Sequence, residues 1–508
     1  MSIYGTVPVK LFIDKVNKKV LFAESDKDFV DILFSFLTLP LGTIVRRLGK
    51  QSQLGCLDEL YKSVESLSED HFQTKACKSM LLRPVNAAAF QCDRLKVQID
   101  DENSRRFYVC CASNCKKMTP VKVNYCNCGS GTSSWECPHN VFGTVEGNDD
   151  GTFLKSGLKF IVTDDLQVSP ASTTLVFSLL DRFGLQEQAK IEEKIFQLNA
   201  HMVCIYNCIT NFFSFLHISA RRKSDCEIRL HLLTTTTLMF FQIISLLQRA
   251  SLSKQPLTGL YFDVPLSQDA VNIDQLPKIP KQGDGSFFAI KIKLVHTKDD
   301  SSELYAEVGE DFVDLIFGLL CFPLGSVIRT YGQMSPNGCI GNLYNSIDGS
   351  ANGCVKSECE YLLRTPKLAP FFGCSRDVLQ AEELCPRRVT SSCLKCYRTT
   401  SQVCTTHTKP LSATVKEMNP KYADNESYYN NGKAYIKGGP RNFLVTDDLR
   451  VIHFSLTNTL QVMRAAKVPK EELVEKQLSL DKTQVMKLVR AALVTRGALS
   501  SVLLPPKK

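Results

Sequence analysis

Two short apolar runs near the start of the chain, Val9-Lys10-Leu11-Phe12-Ile13 and Val20-Leu21-Phe22-Ala23, flank the polar stretch Asp14-Lys15-Val16-Asn17-Lys18-Lys19. Runs of this length on either side of turn residues predict a β-hairpin. Ser25 or Asp26 then caps a predicted helix from Lys27 to Leu37. Its apolar residues Phe29, Val30, Ile32, Leu33, Phe34, Phe36 and Leu37 go round nearly the whole circumference, which predicts a helix buried on all sides. Leu39-Pro40-Leu41-Gly42 ends it, because proline cannot continue the hydrogen-bond ladder and restricts the residue before it. Further on, a second hairpin is expected around Thr163-Asp164-Asp165-Leu166, followed by a helix. Ser169-Pro170 is its predicted cap and first turn, Val176, Leu179, Leu180 and Phe183 its apolar face, and Gly184 its stop. Hairpins and helices in this order, without strict βαβ alternation, predict an α+β fold.

The same pattern occurs twice. Leu21 to Val64 reappears 283 residues later as Leu304 to Ile347 without a gap, so that Asp28, Asp31, Pro40 and Gly42 return as Asp311, Asp314, Pro323 and Gly325. Phe160 to Leu166 returns at the same offset as Phe443 to Leu449, which makes the unit a whole domain duplicated in tandem. Leu247, Arg249, Ala250 and Leu252 match Leu488, Arg490, Ala491 and Leu493 at an offset of 241 instead, so the first copy carries about 42 extra residues. The expected layout is a first repeat domain over 6–201, an apolar insertion over 202–243, the end of the first repeat and a linker over 244–285, and a second repeat domain over 286–508. Within the insertion, Val203-Cys204-Ile205-Tyr206 and Asn211-Phe212-Phe213-Ser214-Phe215-Leu216 raise a membrane hairpin as one reading. Asn207, Asn211 and Thr234 to Thr237 interrupt the runs, and neither reaches the roughly 20 apolar residues that spanning needs. The expectation is an insertion or a gene-model artefact outside the repeat fold.

Hydrophobic residues at 44% and charged residues at 22% of the 508 exclude disordered and collagenous classes. The net charge of +9, from 61 basic and 52 acidic residues, is small for this length, and the one tight basic run, Arg221-Arg222-Lys223, is short. No basic stripe of the kind a nucleic-acid footprint requires is visible in the sequence alone. Met1 to Lys10 lacks the apolar stretch of a secretory signal, which predicts an intracellular, cytoplasmic protein. In that compartment the 21 cysteines are expected to be free thiols and metal ligands, not disulfides.

The cysteines gather in the middle of each copy, where chemistry is concentrated. The first copy has Cys110, Cys111, Cys115, Cys126, Cys128 and Cys137, with His139 nearby. Cys110 or Cys111, with Cys115, Cys126 and Cys128, forms the candidate zinc set, and Gly129 permits the tight turn of a metal knuckle. In the second copy Cys393-x-x-Cys396 and Cys404-x-x-His407 have the paired spacing that brings four soft ligands together. The alternative in both copies is buried thiols packing as small hydrophobes. Either zinc site would be closed and structural, since four protein ligands leave no open position for water. Asp28 with Asp31, and Asp311 with Asp314, are expected to serve helix polarity, not metal binding or acid/base work. Asp164-Asp165 and Asp447-Asp448 are expected in hairpin turns. Phosphate-loop, H-E-x-x-H, G-x-S-x-G and Rossmann strings are all missing, and the eight histidines form no constellation.

The run Asp28 to Phe34 with Leu39 to Ile44, together with Cys126-Asn127-Cys128-Gly129, Phe160 to Leu166 and Leu493-Val494-Thr495, resembles the plant "domain of unknown function 674" family. The resemblance covers almost the whole chain apart from the insertion. It implies a plant origin and a two-copy layout, and it brings no established activity, substrate or catalytic residue. The functional expectation is a non-enzymatic, zinc-stabilised scaffold or protein-interaction module with an unidentified protein partner and no membrane partner. A nucleic-acid-binding zinc-knuckle protein is the alternative, and an enzyme of unrecognised type the second alternative.

Overall fold

The computed structural model describes residues 6–97, 99, 106–112, 115–126, 128–136, 151–183, 191–199, 242–266, 289–298, 303–375, 378–386, 388–392, 413–422, 433–439 and 442–504. Each copy is built on a five-stranded sheet. In the first the strand order is Val168–Pro170, Phe160–Thr163, Lys19–Ser25, Thr6–Asp14, Ile191–Asn199, and in the second Val451–His453, Phe443–Val445, Glu303–Val308, Ile290–Thr297, Leu473–Leu480. All these pairs are antiparallel. The fold is α+β and duplicated, with the opening hairpin, the buried helix and the closing hairpin in the same order in both copies.

The buried helix runs Lys27–Ser35, is capped by Asp26 accepting from the Asp28 amide, and tightens into a 3-10 turn over Phe36–Thr38. Its copy runs Glu310–Gly318 and continues as Leu319–Cys321. One expectation about local structure is corrected. Ser169-Pro170 lies in the strand Val168–Pro170, and Ser172 caps the following helix Thr173–Arg182 by accepting from the Leu175 amide. That helix ends at Arg182 with Phe183 as its C-cap, and Gly184, expected as its stop, lies outside the described residues.

Proline and glycine at the end of the buried helix turn out to join the copies. Pro40 and Pro323 face each other in an antiparallel bridge. Prolines have no N–H to give, so the residues after them donate: Leu41 to the Phe322 carbonyl at 3.0 Å and Leu324 to the Leu39 carbonyl at 2.9 Å. A Cβ on Gly42 would lie 3.0 Å from the Leu320 oxygen, and one on Gly325 2.9 Å from the Leu37 oxygen, so the two backbones approach only because both positions are glycine. The exchange is reciprocal elsewhere too. Val168 donates to Ser346 Oγ at 3.0 Å and Val451 to Ser63 Oγ at 2.9 Å, tying each sheet edge to a helix of the other copy. Cys56 donates to the Ala492 carbonyl and Cys339 to the Ala250 carbonyl, each at 2.8 Å.

One apolar core therefore spans the seam, holding Phe29, Phe34 and Phe36 of the first copy with Phe312, Phe317 and Phe322 of the second. Smaller apolar clusters lie under Thr173–Arg182 and Leu456–Ala466, around Leu179 in the first copy and around Val462 and Met463 in the second.

The proposed insertion is corrected at its end. Residues 242–252 form a helix, and Ile243 and Ile244 are buried in the shared core, so 242 and 243 belong to the fold. Residues 201–241 lie outside the described residues. Among the described residues no helix is long and apolar enough to cross a membrane.

Candidate metal centre

A third sheet unites the two copies. Its strand order is Arg388–Ser392, Ala413–Glu417, Lys117–Thr119, Arg106–Cys110, Thr132–Glu136, and the pair joining the copies, Ala413–Glu417 with Lys117–Thr119, is parallel. Met418 donates its amide to the Met118 carbonyl at 2.7 Å and Lys416 to that of Lys116 at 2.9 Å.

Four cysteines converge at one end of this sheet. Cys110 closes the strand Arg106–Cys110, and the chain then turns so that the Ala112 amide points at Cys110 Sγ at 3.4 Å and the Cys115 amide donates to the Ala112 carbonyl at 3.2 Å. A second turn brings in Cys126 and Cys128. The Cys126 amide donates to the Ser130 carbonyl at 2.7 Å and the Gly129 amide to the Cys126 carbonyl at 2.8 Å. Gly129 has φ +82°, left-handed backbone that a side chain would strain. The sulfurs of Cys110, Cys115, Cys126 and Cys128 all lie within 4.8 Å of one another. Cys110 and Cys128 are 3.4 Å apart, as are Cys115 and Cys126.

This donor set fits zinc. With zinc–sulfur bonds of about 2.3 Å, the edges of a tetrahedron of thiolates are roughly 3.8 Å, inside the spread observed here. Burial pushes the Cys110 thiol up to about 11 and raises Cys115 as well. The backbone and side chain of Ser130, followed by the neighbouring thiols, bring the exposed Cys128 down to about 6. Two thiols raised by burial beside one ready thiolate favour a divalent cation, whose charge releases the protons those two retain.

Cys111, the alternative to Cys110 in the expected set, is exposed and stands outside the group. Cys137, His139, Cys393, Cys396, Cys404 and His407 lie outside the described residues. The strands Arg388–Ser392 and Ala413–Glu417, which bracket the second cysteine segment, are paired with each other and belong to the sheet of the first centre. Sequence reasoning missed Met418, whose sulfur is 3.8 Å from Cys126 Sγ. No local pattern ties residues 292 positions apart.

The acidic pairs serve the backbone, with one correction. Asp28 lies in the first helical turn, as expected, and forms an ion pair with Lys96. Asp31 is instead buried and accepts from the amides of Thr152 at 2.6 Å, Phe153 at 2.9 Å and Leu154 at 3.0 Å. Its counterpart Asp314 accepts from Tyr435 at 2.6 Å, Ile436 at 3.2 Å and Ser375 at 2.9 Å, so neither serves chiefly as a helix-dipole charge. Asp164 takes the amide and hydroxyl of Thr258, and Asp447 those of Ser500.

A cleft of about 360 Å³ opens at the seam between Lys50, Glu59, Lys62, Asp448 and Arg496. Its lysines are already paired, Lys62 with Glu59 and Lys50 with Glu65, each at 2.7 Å. Burial drives the thiol of Cys56 on its wall far above the ordinary range.

A family model described as "Protein of unknown function (DUF674)" matches residues 5–212, 232–483 and 385–508. Neither the curated proteins nor the solved structures contain a match.

Proposed function

The chain belongs to the DUF674 family, whose description assigns no activity, and from its geometry we propose that it is a non-enzymatic interaction scaffold whose two copies are locked together by a structural zinc. The observation that carries this reading is the set of four sulfurs within 4.8 Å of one another, placed on a sheet to which both copies contribute strands. Four cysteine ligands complete a zinc tetrahedron and leave no position for a reacting water. The buried carboxylates Asp31, Asp164 and Asp314 and the half-buried Asp447 accept from backbone amides, and this use supports a structural reading over a catalytic one. Elemental analysis tests it. The parent, purified under reducing conditions, should carry about one zinc per chain, and the Cys126→Ser, Cys128→Ser variant should lose it. Zinc well below one equivalent in the parent, or unchanged in the variant, contradicts the reading.

A further inference from the structure

One face of the mixed sheet carries cations for which the described residues form no ion pair. Along Arg106–Cys110, Phe107 and Val109 are buried, while Arg106 is exposed and Tyr108 half-buried, so the second pair points outward. Tyr108 stands opposite Thr119, which is fully buried, and the half-buried Lys117, two residues before Thr119 on the same strand, shares that face toward the sheet's exposed end. Lys117 is in turn opposite Lys416 across the parallel pair, and Lys416 opposite Arg388 across the next. Three cationic positions therefore occupy one rung of the sheet.

Like charges directly opposite each other on neighbouring strands work against the fold. Among the described residues no ion pair engages Lys117 or Lys416, and Lys122 in the following loop is also exposed without one. Tyr125 in that loop is 71% exposed. Glu136 stands opposite Arg106 at the far edge. The rung of Lys117, Lys416 and Arg388 has no acid in register with it, and cations so gathered beside an exposed tyrosine ring match what a single-stranded polynucleotide requires. Its phosphates meet the cations, and an unpaired base stacks on the ring. We propose that this face binds single-stranded nucleic acid. The inference gives the interaction scaffold its partner class and rests on that reading, because the metal centre holds the sheet that presents the face.

The test uses the full chain and a fluorescein-labelled single-stranded RNA of about 20 nucleotides, followed by fluorescence anisotropy at increasing salt. Contact with about three phosphates predicts that the logarithm of affinity falls with that of salt at a slope of about −2. Lys117→Glu with Lys416→Glu should weaken binding at least about tenfold and flatten that slope. Lys15→Glu with Lys254→Glu makes the same charge change on exposed lysines elsewhere and should stay within about twofold of the parent. Equal loss in both double variants overturns the proposal, because net charge alone would then explain binding. Zinc loss from the Lys117→Glu, Lys416→Glu protein overturns it as well, since those lysines would then be counter-charges of the metal centre. Parent protein that keeps its zinc but binds only phosphatidylserine vesicles, or binds neither probe, sinks the nucleic-acid inference and leaves the scaffold reading standing. Zinc-free parent that binds RNA through Lys117 and Lys416 supports the inference and contradicts the metal reading.

Discussion

Asp31 shows how one residue closes a copy. Its carboxylate gathers three consecutive amides, from Thr152 to Leu154, and burial raises it to about 6 against the pull of those donors. The folded value lies above the unfolded one of about 4, so its favourable contribution is fully present below about pH 4 and is lost as pH rises through about 6. Asp31→Asn abolishes that titration and turns an amide NH₂ toward a backbone donor. Urea unfolding should show a loss of about 1–3 kcal/mol at pH 7 and a flatter stability profile between about pH 4 and 6. An unchanged profile would contradict this role. The sequence shows an acid at this position and not its use, because the amides it binds lie 121 to 123 residues further on. Asp28, whose role is set by its own helix, was legible.

At the scale of elements, whatever local periodicity specifies could be read: the opening hairpin, the buried helix and the turn at Asp164-Asp165. Two kinds of strand escaped. Ile191–Asn199 and Leu473–Leu480 are sheet edges with much of their length exposed, so charge interrupts the alternation that marks a half-buried strand. The mixed sheet depends on pairing between copies, which no window along the chain contains. The second copy also shows how the first would close without its extra segment. Leu480 ends its strand, and Asp481 then caps the helix Lys482–Val494 in a capping box with Gln484. In the first copy the corresponding strand ends at Asn199 and the helix occupies 242–252. Deleting 203–241 should leave a soluble protein with one cooperative melt within about 4 °C of the parent, a difference of roughly 1–2 kcal/mol. Aggregation or a broadened melt would show that the segment supports the fold.

The whole molecule is a duplicated pair related by reciprocal contacts, with Pro40 against Pro323 at the centre and Ser63 and Ser346 holding each other's sheet edges. The duplication was plain in the sequence. That the halves share one core and one sheet was not, since the apolar residues at the seam look like those of any buried helix. Among the described residues the four-sulfur centre has no counterpart in the second copy, and Met418 of that copy lies against it. Zinc there should hold both copies at once. The most direct test is native-state hydrogen exchange of the full chain before and after chelation. Chelation should make 106–112, 115–126 and 413–418 lose protection together, while the strands Lys19–Ser25 and Glu303–Val308 keep theirs. Exchange unchanged by chelation, or loosening confined to the first copy, would contradict a metal that locks the two copies together.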